Sequence, residues 1–137
     1  MTDQTDPPIP RLPDDAEEFV KIFQEGWARP KPDPFIDFWY PYISETVVST
    51  QPLFPPAYGR DEFLDRFREV FSIISNMTGV VEAWAGNGNS VFIKGVFSGS
   101  MGDTPIEFTV CDYFVIEDGL IVKRESYFDP SSLAPSA

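Results

Sequence analysis

The sequence contains no histidine and a single cysteine, Cys111, among its 137 residues. Without histidine the chain cannot build a Ser-His-Asp or Cys-His catalytic group, nor any zinc or haem site that uses a histidine ligand. A lone cysteine cannot form a disulfide within the chain. Proton chemistry is left to Asp, Glu, Tyr, Lys and Arg side chains, and we expect neither a metal nor an organic cofactor.

Basic residues are also scarce, since 10 Lys and Arg stand against 22 Asp and Glu, which gives a formal net charge of −12. Such a charge repels the phosphates of nucleic acids and the anionic surfaces of membranes, so neither is an expected partner. No apolar run approaches the roughly 20 residues that span a bilayer. The acidic, proline-rich start "MTDQTDPPIPRLP" is unlike a signal peptide, so we expect a cytoplasmic location.

Apolar residues make up 42% of the chain and aromatic residues 15%, with 13 Phe among them. A chain of this length and composition is expected to form one packed domain. Proline and polar residues predict tails at 1–13 and 131–137, which leaves a single domain over 14–130. An interior rich in phenylalanine suits an apolar ligand and equally suits a tightly filled core.

Apolar residues recur at helical spacing in "DDAEEFVKIFQEGW" and "RDEFLDRFREVFSII", which predicts two amphipathic helices. Between them, "DPFIDFWYPYI" predicts a short helix capped by Asp33, "ETVVST" a short strand, and "QPLFPPAYG" an irregular loop. After Asn76 the period changes to two, and turns at "GNGN" and Asp118-Gly119 separate the strands. Helices followed by strands predict an α+β domain whose helices cover one face of a curved antiparallel sheet.

One acidic residue interrupts an apolar strand face. In "IEFTVCDYFVI", Ile106 to Ile116, alternate side chains share a face, and Asp112 shares its face with five apolar residues. A carboxylate that is removed from water without a partner costs several kcal/mol. Asp112 therefore needs either a functional role or a charged partner, whereas Cys111 is predicted on the opposite face.

The order of elements resembles that of the SnoaL-like, or nuclear-transport-factor-2-like (NTF2-like), proteins. "PPAYGRDEFLDRF" resembles the loop-to-helix entry of the limonene-epoxide-hydrolase branch, and "CDYFVIEDGLIV" resembles the penultimate hairpin of ketosteroid isomerases. "KRESYFDP" is similar to the closing strand found across SnoaL-like proteins. The resemblance implies an NTF2-like (cystatin-like) cone, in which a bent sheet wraps around the N-terminal helices and leaves a pocket at its open end.

The similarity to ketosteroid isomerases implies a role for Asp112. In those enzymes an aspartate in a "D-[HY]-F" motif is kept protonated by apolar surroundings and donates a hydrogen bond to the substrate oxyanion. Asp112 in "CDYF" matches this aspartate, but Phe23 stands where their oxyanion tyrosine is expected. Their general-base aspartate falls near Thr50 or Gln51, where there is no carboxylate. Two of the three groups of that mechanism are therefore missing.

The similarity to epoxide hydrolases implies a second set of positions. Those enzymes use two aspartates bridged by an arginine, with a tyrosine and an asparagine that hold the attacking water. The matching positions in this sequence are Phe97, Ser126, Gly95, Ser49 and Gln51. Neither carboxylate is present, and loss of a general acid or base typically costs about 10²–10⁴ in rate, which argues against limonene-type epoxide hydrolysis.

Two interpretations of Asp112 remain open. In the first it faces a pocket and exchanges a proton with a small carbonyl, enol or polyketide-like substrate. In the second it is the structural partner of Arg124, which lies opposite it if the hairpin turns with a single-residue offset, whereas a two-residue turn places Glu125 there. Trp39, Tyr40, Phe54 and Tyr58 either form the pocket mouth or are ordinary packing aromatics, and packing is the favoured interpretation. With Asp112 as the catalytic candidate, the candidate substrate-binding residues are Arg124, Ser126, Phe128, Gln51, Phe97 and Trp39.

The other face of the predicted sheet is also apolar, and we expect a homodimer that covers it. The residues predicted on this face are Phe92, Val96, Cys111, Tyr113, Val115, Ile121 and Tyr127.

Three functions fit the resemblance. The first is a small-molecule enzyme of the ketosteroid-isomerase or SnoaL type that performs isomerisation, cyclisation or dehydration in an apolar pocket. The second is a ligand-binding module without catalysis, and the third is a dimeric protein-interaction scaffold. An open cavity of several hundred cubic ångströms would favour the first two, and a filled cone would favour the third.

Overall fold

The computed structural model describes residues 15–133, which form three α-helices, two 3-10 turns and six strands. The helices are α1 (Ala16–Trp27), α2 (Asp33–Trp39) and α3 (Arg60–Ile73), and the 3-10 turns span Tyr40–Tyr42 and Pro130–Leu133. The strands are β1 (Ile43–Thr50), β2 (Ala57–Tyr58), β3 (Ser75–Asn87), β4 (Ser90–Met101), β5 (Thr104–Glu117) and β6 (Leu120–Tyr127). The predicted N-terminal tail, 1–13, and the end of the predicted C-terminal tail, 134–137, lie outside the described residues.

The amphipathic patterns form the predicted helices. The side chain of Asp15 caps α1 by accepting a hydrogen bond from the backbone N–H of Glu17, and the apolar stripe of this helix is buried. The prediction that Asp33 caps α2 is wrong, because the N-cap is Pro32 and Asp33 is the first helical residue. A carboxylate in the first turn still interacts favourably with the free N–H groups there.

The six described strands form one curved, open sheet in the order β2-β1-β6-β5-β4-β3. Strands β3 to β6 are antiparallel neighbours, as the turn pattern predicted, whereas β1 pairs with β6 in parallel. A parallel pair needs a long crossover connection, and here α3 and the β3–β5 meander supply it. The short strand β2 lies within the segment predicted to be irregular and pairs with β1.

The turn between β5 and β6 does not by itself set the register at Asp112. This two-residue turn, Asp118-Gly119, has φ values of 52° and 77°, which are typical of a type I′ turn. Such a turn alone would place Glu125 opposite Asp112. A β-bulge between the pairs formed by Val115 and Ile116 instead shifts the register of β6 by one residue.

The bulge places Ser126 opposite Asp112, and Arg124 opposite Phe114. Neither predicted register is therefore correct. Because alternate residues of a strand share a face, Arg124 still points to the same side of the sheet as Asp112 and can reach it diagonally.

Ile121 is buried in the core and pairs with Ile116, as the two-residue turn alone would place it. The prediction that Ile121 belongs to the outer apolar face is therefore wrong. It assumed unbroken alternation along β6, whereas the bulge after Ile121 puts this residue and Arg124 on the same face.

The core fills the space between the helices and the face of the sheet that they cover, here called the inner face. Trp27 of α1 is central to it, with ring centroids 4.8 Å from Phe35 of α2 and 4.7 Å from Phe97 of β4. Both contacts are edge-on, which is the favoured geometry for aromatic pairs. Leu133 also packs on this core, so residues 131–133 of the predicted tail belong to the folded domain.

Gly26 lets α1 pack closely against α2, since a Cβ atom at this position would lie 2.6 Å from Nε1 of Trp39. We expect Gly26→Ala to destabilise the protein by about 1–3 kcal/mol through overpacking, although alanine is the better helix former. Chemical denaturation followed by circular dichroism measures the effect. Gln24→Ala, on the exposed side of the same helix, is the control and should change stability by less than about 0.5 kcal/mol. A Gly26→Ala protein as stable as the wild type would contradict this close packing.

Candidate functional site

Asp112 lies on the inner face of β5 and is only 2% exposed. Nη2 of Arg124 lies 3.4 Å from its Oδ1 atom. This distance is that of an ion pair and is longer than a good hydrogen bond. Oδ1 is buried and accepts no hydrogen bond from any described residue. The contact required by the structural interpretation of Asp112 is thus present, but it leaves this oxygen without a donor.

Arg124 is held in place by two neighbouring elements. Its Nη1 lies 3.5 Å from Oγ of Ser49 on β1, which is the partner strand in the parallel pair. The guanidinium carbon lies 5.2 Å and 5.7 Å from the ring centroids of Phe67 and Phe63 on α3, within the range of cation–π attraction. These contacts fix the guanidinium beside Asp112.

Asp112 and Arg124 both face a partly enclosed cavity. Its volume is about 60 Å³, which is room for a few water molecules. The polar lining comes from Gln51, Arg66, Asp112, Arg124 and Ser126. The remaining lining is apolar and consists of Trp27, Leu53, Phe54, Phe67, Val70, Ile74, Met77, Phe97, Phe108, Val110, Phe128 and Leu133.

Most of the residues predicted for substrate binding meet at this cavity. Gln51, Phe97, Arg124, Ser126 and Phe128 line it together with the catalytic candidate Asp112. They come from β4, β5, β6 and the segments that follow β1 and β6, and the curvature of the sheet brings them together.

Trp39 is the exception among the substrate-binding candidates. It lines an adjoining space of about 20 Å³ that also borders Asp112 and Arg124. Its indole lies against α1 where Gly26 has no side chain, which keeps it away from the larger cavity. Of the other residues predicted at the mouth, Phe54 lines the cavity, whereas Tyr40 and Tyr58 are exposed elsewhere on the surface.

The side-chain amide of Gln51 forms most of its hydrogen bonds with the backbone of the loop that starts at this residue. Its Oε1 accepts hydrogen bonds from the backbone N–H groups of Leu53 and Phe54, at 2.6 Å and 3.1 Å. Its Nε2 donates to the carbonyl of Phe54 at 3.0 Å. Gln51 therefore shapes the cavity wall by ordering this loop, and retains one N–H donor for other partners.

A larger apolar depression continues from the cavity toward the surface. Its volume is about 340 Å³. The two spaces share the lining residues Leu53, Phe54, Val70, Ile74 and Leu133. A molecule longer than the inner cavity can therefore extend outward over apolar surface.

Arg66 is a polar lining residue that the sequence analysis did not single out. It lies on α3, three residues after Phe63 and four before Val70, so helical spacing places it beside the buried stripe. Its side chain is 25% exposed and its Nε atom is buried without a hydrogen-bond partner among the described residues. The sequence signal for this role of Arg66 was its position as a basic residue beside the apolar stripe of a predicted helix.

Cys111 lies on the outer face, as predicted from strand parity, and burial raises the pKa of its thiol, with the neighbouring Asp112 charge adding to the effect. A raised pKa keeps the thiol protonated near neutral pH and therefore weakly nucleophilic. This agrees with a packing role for Cys111.

Two further findings concern residues 15–133. No three His, Cys, Asp or Glu side chains in this range are grouped so that they could hold a metal ion. None of the helices in it has the length and apolar character that crossing a bilayer requires.

Residues 16–124 match the family model of the SnoaL-like domain. No functionally curated protein matches the chain. Among solved structures, the chain is similar to a protein from Jannaschia sp. CCS1 that is described provisionally as a SnoaL-like polyketide cyclase. The two share 19% identity with a TM-score of 0.75, over 98% of this chain and 100% of that one.

Two other solved structures show the range of proteins with this fold. A protein from Catenulispora acidiphila with a ketosteroid-isomerase-like fold, solved in complex with trimethylamine, has 16% identity and a TM-score of 0.73, and covers 86% of this chain and 90% of its own. An LEH-like epoxide hydrolase from M. tuberculosis has 18% identity and a TM-score of 0.66, over 82% and 81%. These similarities confirm the predicted fold, and at such identities they extend no further than the fold.

Proposed function

Because the chain belongs to the SnoaL-like family, we propose that it is a cofactor-independent enzyme that moves a proton on a small carbonyl or enol substrate. The reaction classes that fit are isomerisation, cyclisation and dehydration of an apolar or polyketide-like molecule. Each of these can proceed through removal of a proton next to a carbonyl group.

The state of Asp112 is the observation that carries this proposal. The carboxylate is buried, lines the cavity and has an oxygen that accepts no hydrogen bond within the described structure. The nearby guanidinium of Arg124 compensates the charge electrostatically without occupying that oxygen in a close hydrogen bond. A lone pair of Oδ1 is therefore available to accept a proton from a molecule in the cavity.

The Asp112–Arg124 pair favours a basic role for Asp112 over the acidic role known in ketosteroid isomerases. Asp112 is ion-paired with a guanidinium at 3.4 Å, and a carboxylate in such a pair is suited to accepting a proton rather than donating one. Arg124 then serves a second purpose, since its N–H groups can stabilise the negative charge that develops on the carbonyl oxygen. Asp112 returns the proton to another carbon atom or to a leaving group.

The size of the inner cavity limits what can reach Asp112. At about 60 Å³ it is smaller than the several hundred cubic ångströms expected for a substrate pocket, and it accommodates only a carbonyl group and a few neighbouring carbon atoms. The adjoining depression of about 340 Å³ supplies apolar surface for the rest of a larger substrate. The proposed substrate therefore has a compact reactive end and an apolar remainder.

The test uses cyclopentanone as a small neutral ketone. In D2O, removal of an α-proton by Asp112 and return of a deuteron exchanges the hydrogen atoms next to the carbonyl. The loss of their ¹H NMR signal measures the rate, and the wild-type protein should raise it above the buffer rate. Exchange no faster than in buffer would contradict the proposed proton transfer.

A non-catalytic binding module is the second candidate, and one observation favours it. Within the described part of the chain, Asp112 is the only acidic residue that lines the cavity. A reaction that needs a separate general acid would lack one there, since arginine stays protonated at all physiological pH values. Saturable binding of cyclopentanone without any proton exchange would favour this candidate.

The outer face of the sheet supports the further proposal that two copies of the chain form a homodimer. Phe92 is 44% exposed and Tyr127 is 56% exposed on this face. The rings of Phe92 and Tyr113 lie 4.6 Å apart, which makes a continuous aromatic surface across β4 and β5. Exposed apolar patches of this kind are rare on monomers and typical of interfaces between subunits.

We expect Phe92→Glu to convert the dimer to a monomer, because each subunit would bury an unpaired carboxylate in the interface. Sedimentation velocity at micromolar concentration measures the change in mass. Ile73→Glu, at an exposed apolar residue of α3, is the control and should leave the mass unchanged. A wild-type protein that sediments as a monomer at this concentration would rule out the dimer.

A further inference from the structure

Arg66 brings a second guanidinium to the wall of the inner cavity. Its Nη1 atom lies 3.0 Å from Oε1 of Glu69, one helical turn further along α3. Its Nε atom is buried and has no hydrogen-bond partner among residues 15–133. Burying an N–H group without a partner is unfavourable, so a ligand that accepts this hydrogen bond would be stabilised.

The contact with Glu69 leaves Arg66 available to a ligand. The side chain of Glu69 is 45% exposed and does not line the cavity. Ion pairs of this exposed kind contribute little to stability because water and salt screen them. Arg66 can therefore keep this contact on its solvent side, or give it up, when an acceptor enters the cavity.

The charged side chains that line the cavity do not balance among themselves. They are Asp112, Arg124 and Arg66, so the lining by itself carries one net positive charge. Arg124 pairs with Asp112 at 3.4 Å, whereas the partner of Arg66, Glu69, lies outside the lining. This local excess of positive charge, in a chain whose formal net charge is −12, favours a single anion in the cavity.

We propose that Arg66 determines substrate specificity by binding a carboxylate, and that the substrate class is the keto acids. This inference rests on the proposed function, in which Asp112 takes a proton next to the carbonyl of the same molecule. A planar guanidinium presents paired N–H donors that match the two oxygens of a carboxylate. One net positive charge among the lining residues and a small cavity suit this compact monoanion better than a phosphate group, which carries more charge.

Levulinate and its amide, levulinamide, form a suitable pair of probes. They have nearly the same shape and the same ketone, but only levulinate carries a negative charge. We expect the wild-type protein to bind levulinate at least about tenfold more tightly than levulinamide. Chemical-shift titration of the ¹⁵N-labelled protein measures both dissociation constants under identical conditions.

Variants of two arginines on the same helix then locate the effect. Arg66→Met should reduce levulinate affinity at least about tenfold and leave levulinamide affinity unchanged within a factor of about two. Arg66→Lys should keep part of the preference, because it keeps the charge without the planar fork. Arg68→Met is the matched control, since Arg68 pairs with Asp33 at 3.8 Å and does not line the cavity.

The outcomes separate this inference from the proposed function. Equal affinity of the wild-type protein for both probes, or a preference that survives in Arg66→Met, would overturn the role of Arg66. So would loss of the preference in Arg68→Met, because the effect would then come from general charge. Ketone exchange that depends on Asp112 could persist in any of these cases, and the cyclopentanone measurement reports it independently.

Discussion

Asp112→Asn is expected to slow the wild-type exchange of cyclopentanone hydrogens in D2O by about 10²–10⁴-fold. Asparagine has nearly the same shape as aspartate and occupies the same position beside Arg124. Its amide cannot accept a proton at neutral pH, so the base is lost while the cavity keeps its form. The measurement is the initial rate of ¹H signal loss, taken well below the melting temperature of each protein.

The matched control for this variant is Asp37→Asn, at an exposed aspartate of α2 outside the cavity lining. It removes the same charge from the chain and should leave the exchange rate unchanged. Equal exchange rates for the wild-type and Asp112→Asn proteins would show that Asp112 is not the base. The structural interpretation of Asp112, as a partner of Arg124 alone, would then account for its burial.

Arg124→Met is expected to reduce the free energy of unfolding by about 3–5 kcal/mol. Methionine fills part of the space of the arginine stem but leaves the carboxylate of Asp112 buried without a countercharge. Other cavity residues do not replace Arg124 in this role in the present structure, since Oδ1 of Asp112 accepts no hydrogen bond from any described residue. Denaturant unfolding at neutral pH measures the loss.

The double variant Asp112→Asn/Arg124→Met separates charge from packing. It removes both buried charges, and we expect it to recover most of the stability that Arg124→Met loses, because replacing a whole buried ion pair is often nearly neutral. The coupling between the two changes follows from the double-mutant cycle. If the double variant were as unstable as the sum of the single variants, packing rather than charge would explain the effect of Arg124.

The parts of the fold that were predictable are those that depend on short-range periodicity. The apolar spacing of α1 and α3 and the alternation of β5 are repeated many times, so each orientation is specified by several residues at once. The inward orientation of Asp112 follows from the same alternation and is found in the structure. The family resemblance added the cone, in which the sheet wraps around the helices and leaves a pocket at its open end.

The register of β6 was not predictable in the same way. A single bulge shifts most of the strand by one residue, and this changes the partner of Asp112 and puts Ile121 on the same face as Arg124. The turn at Asp118-Gly119 is compatible with either register of β6, because the bulge lies beyond it. The choice depends on how Ile121 and Arg124 fit against the core, which involves α3 and β1 from distant parts of the chain.

The sequence by itself determined which side chains are available for proton chemistry, since it has no histidine and places one acid in an apolar strand face. It also determined the helix and strand pattern, because local periodicity is encoded residue by residue. Only the tertiary structure decided that Asp112 and Arg124 share one cavity, that Trp39 lies outside it and that Arg66 enters it. The physical reason is that cavities form where separate elements fail to fill space, which depends on long-range packing.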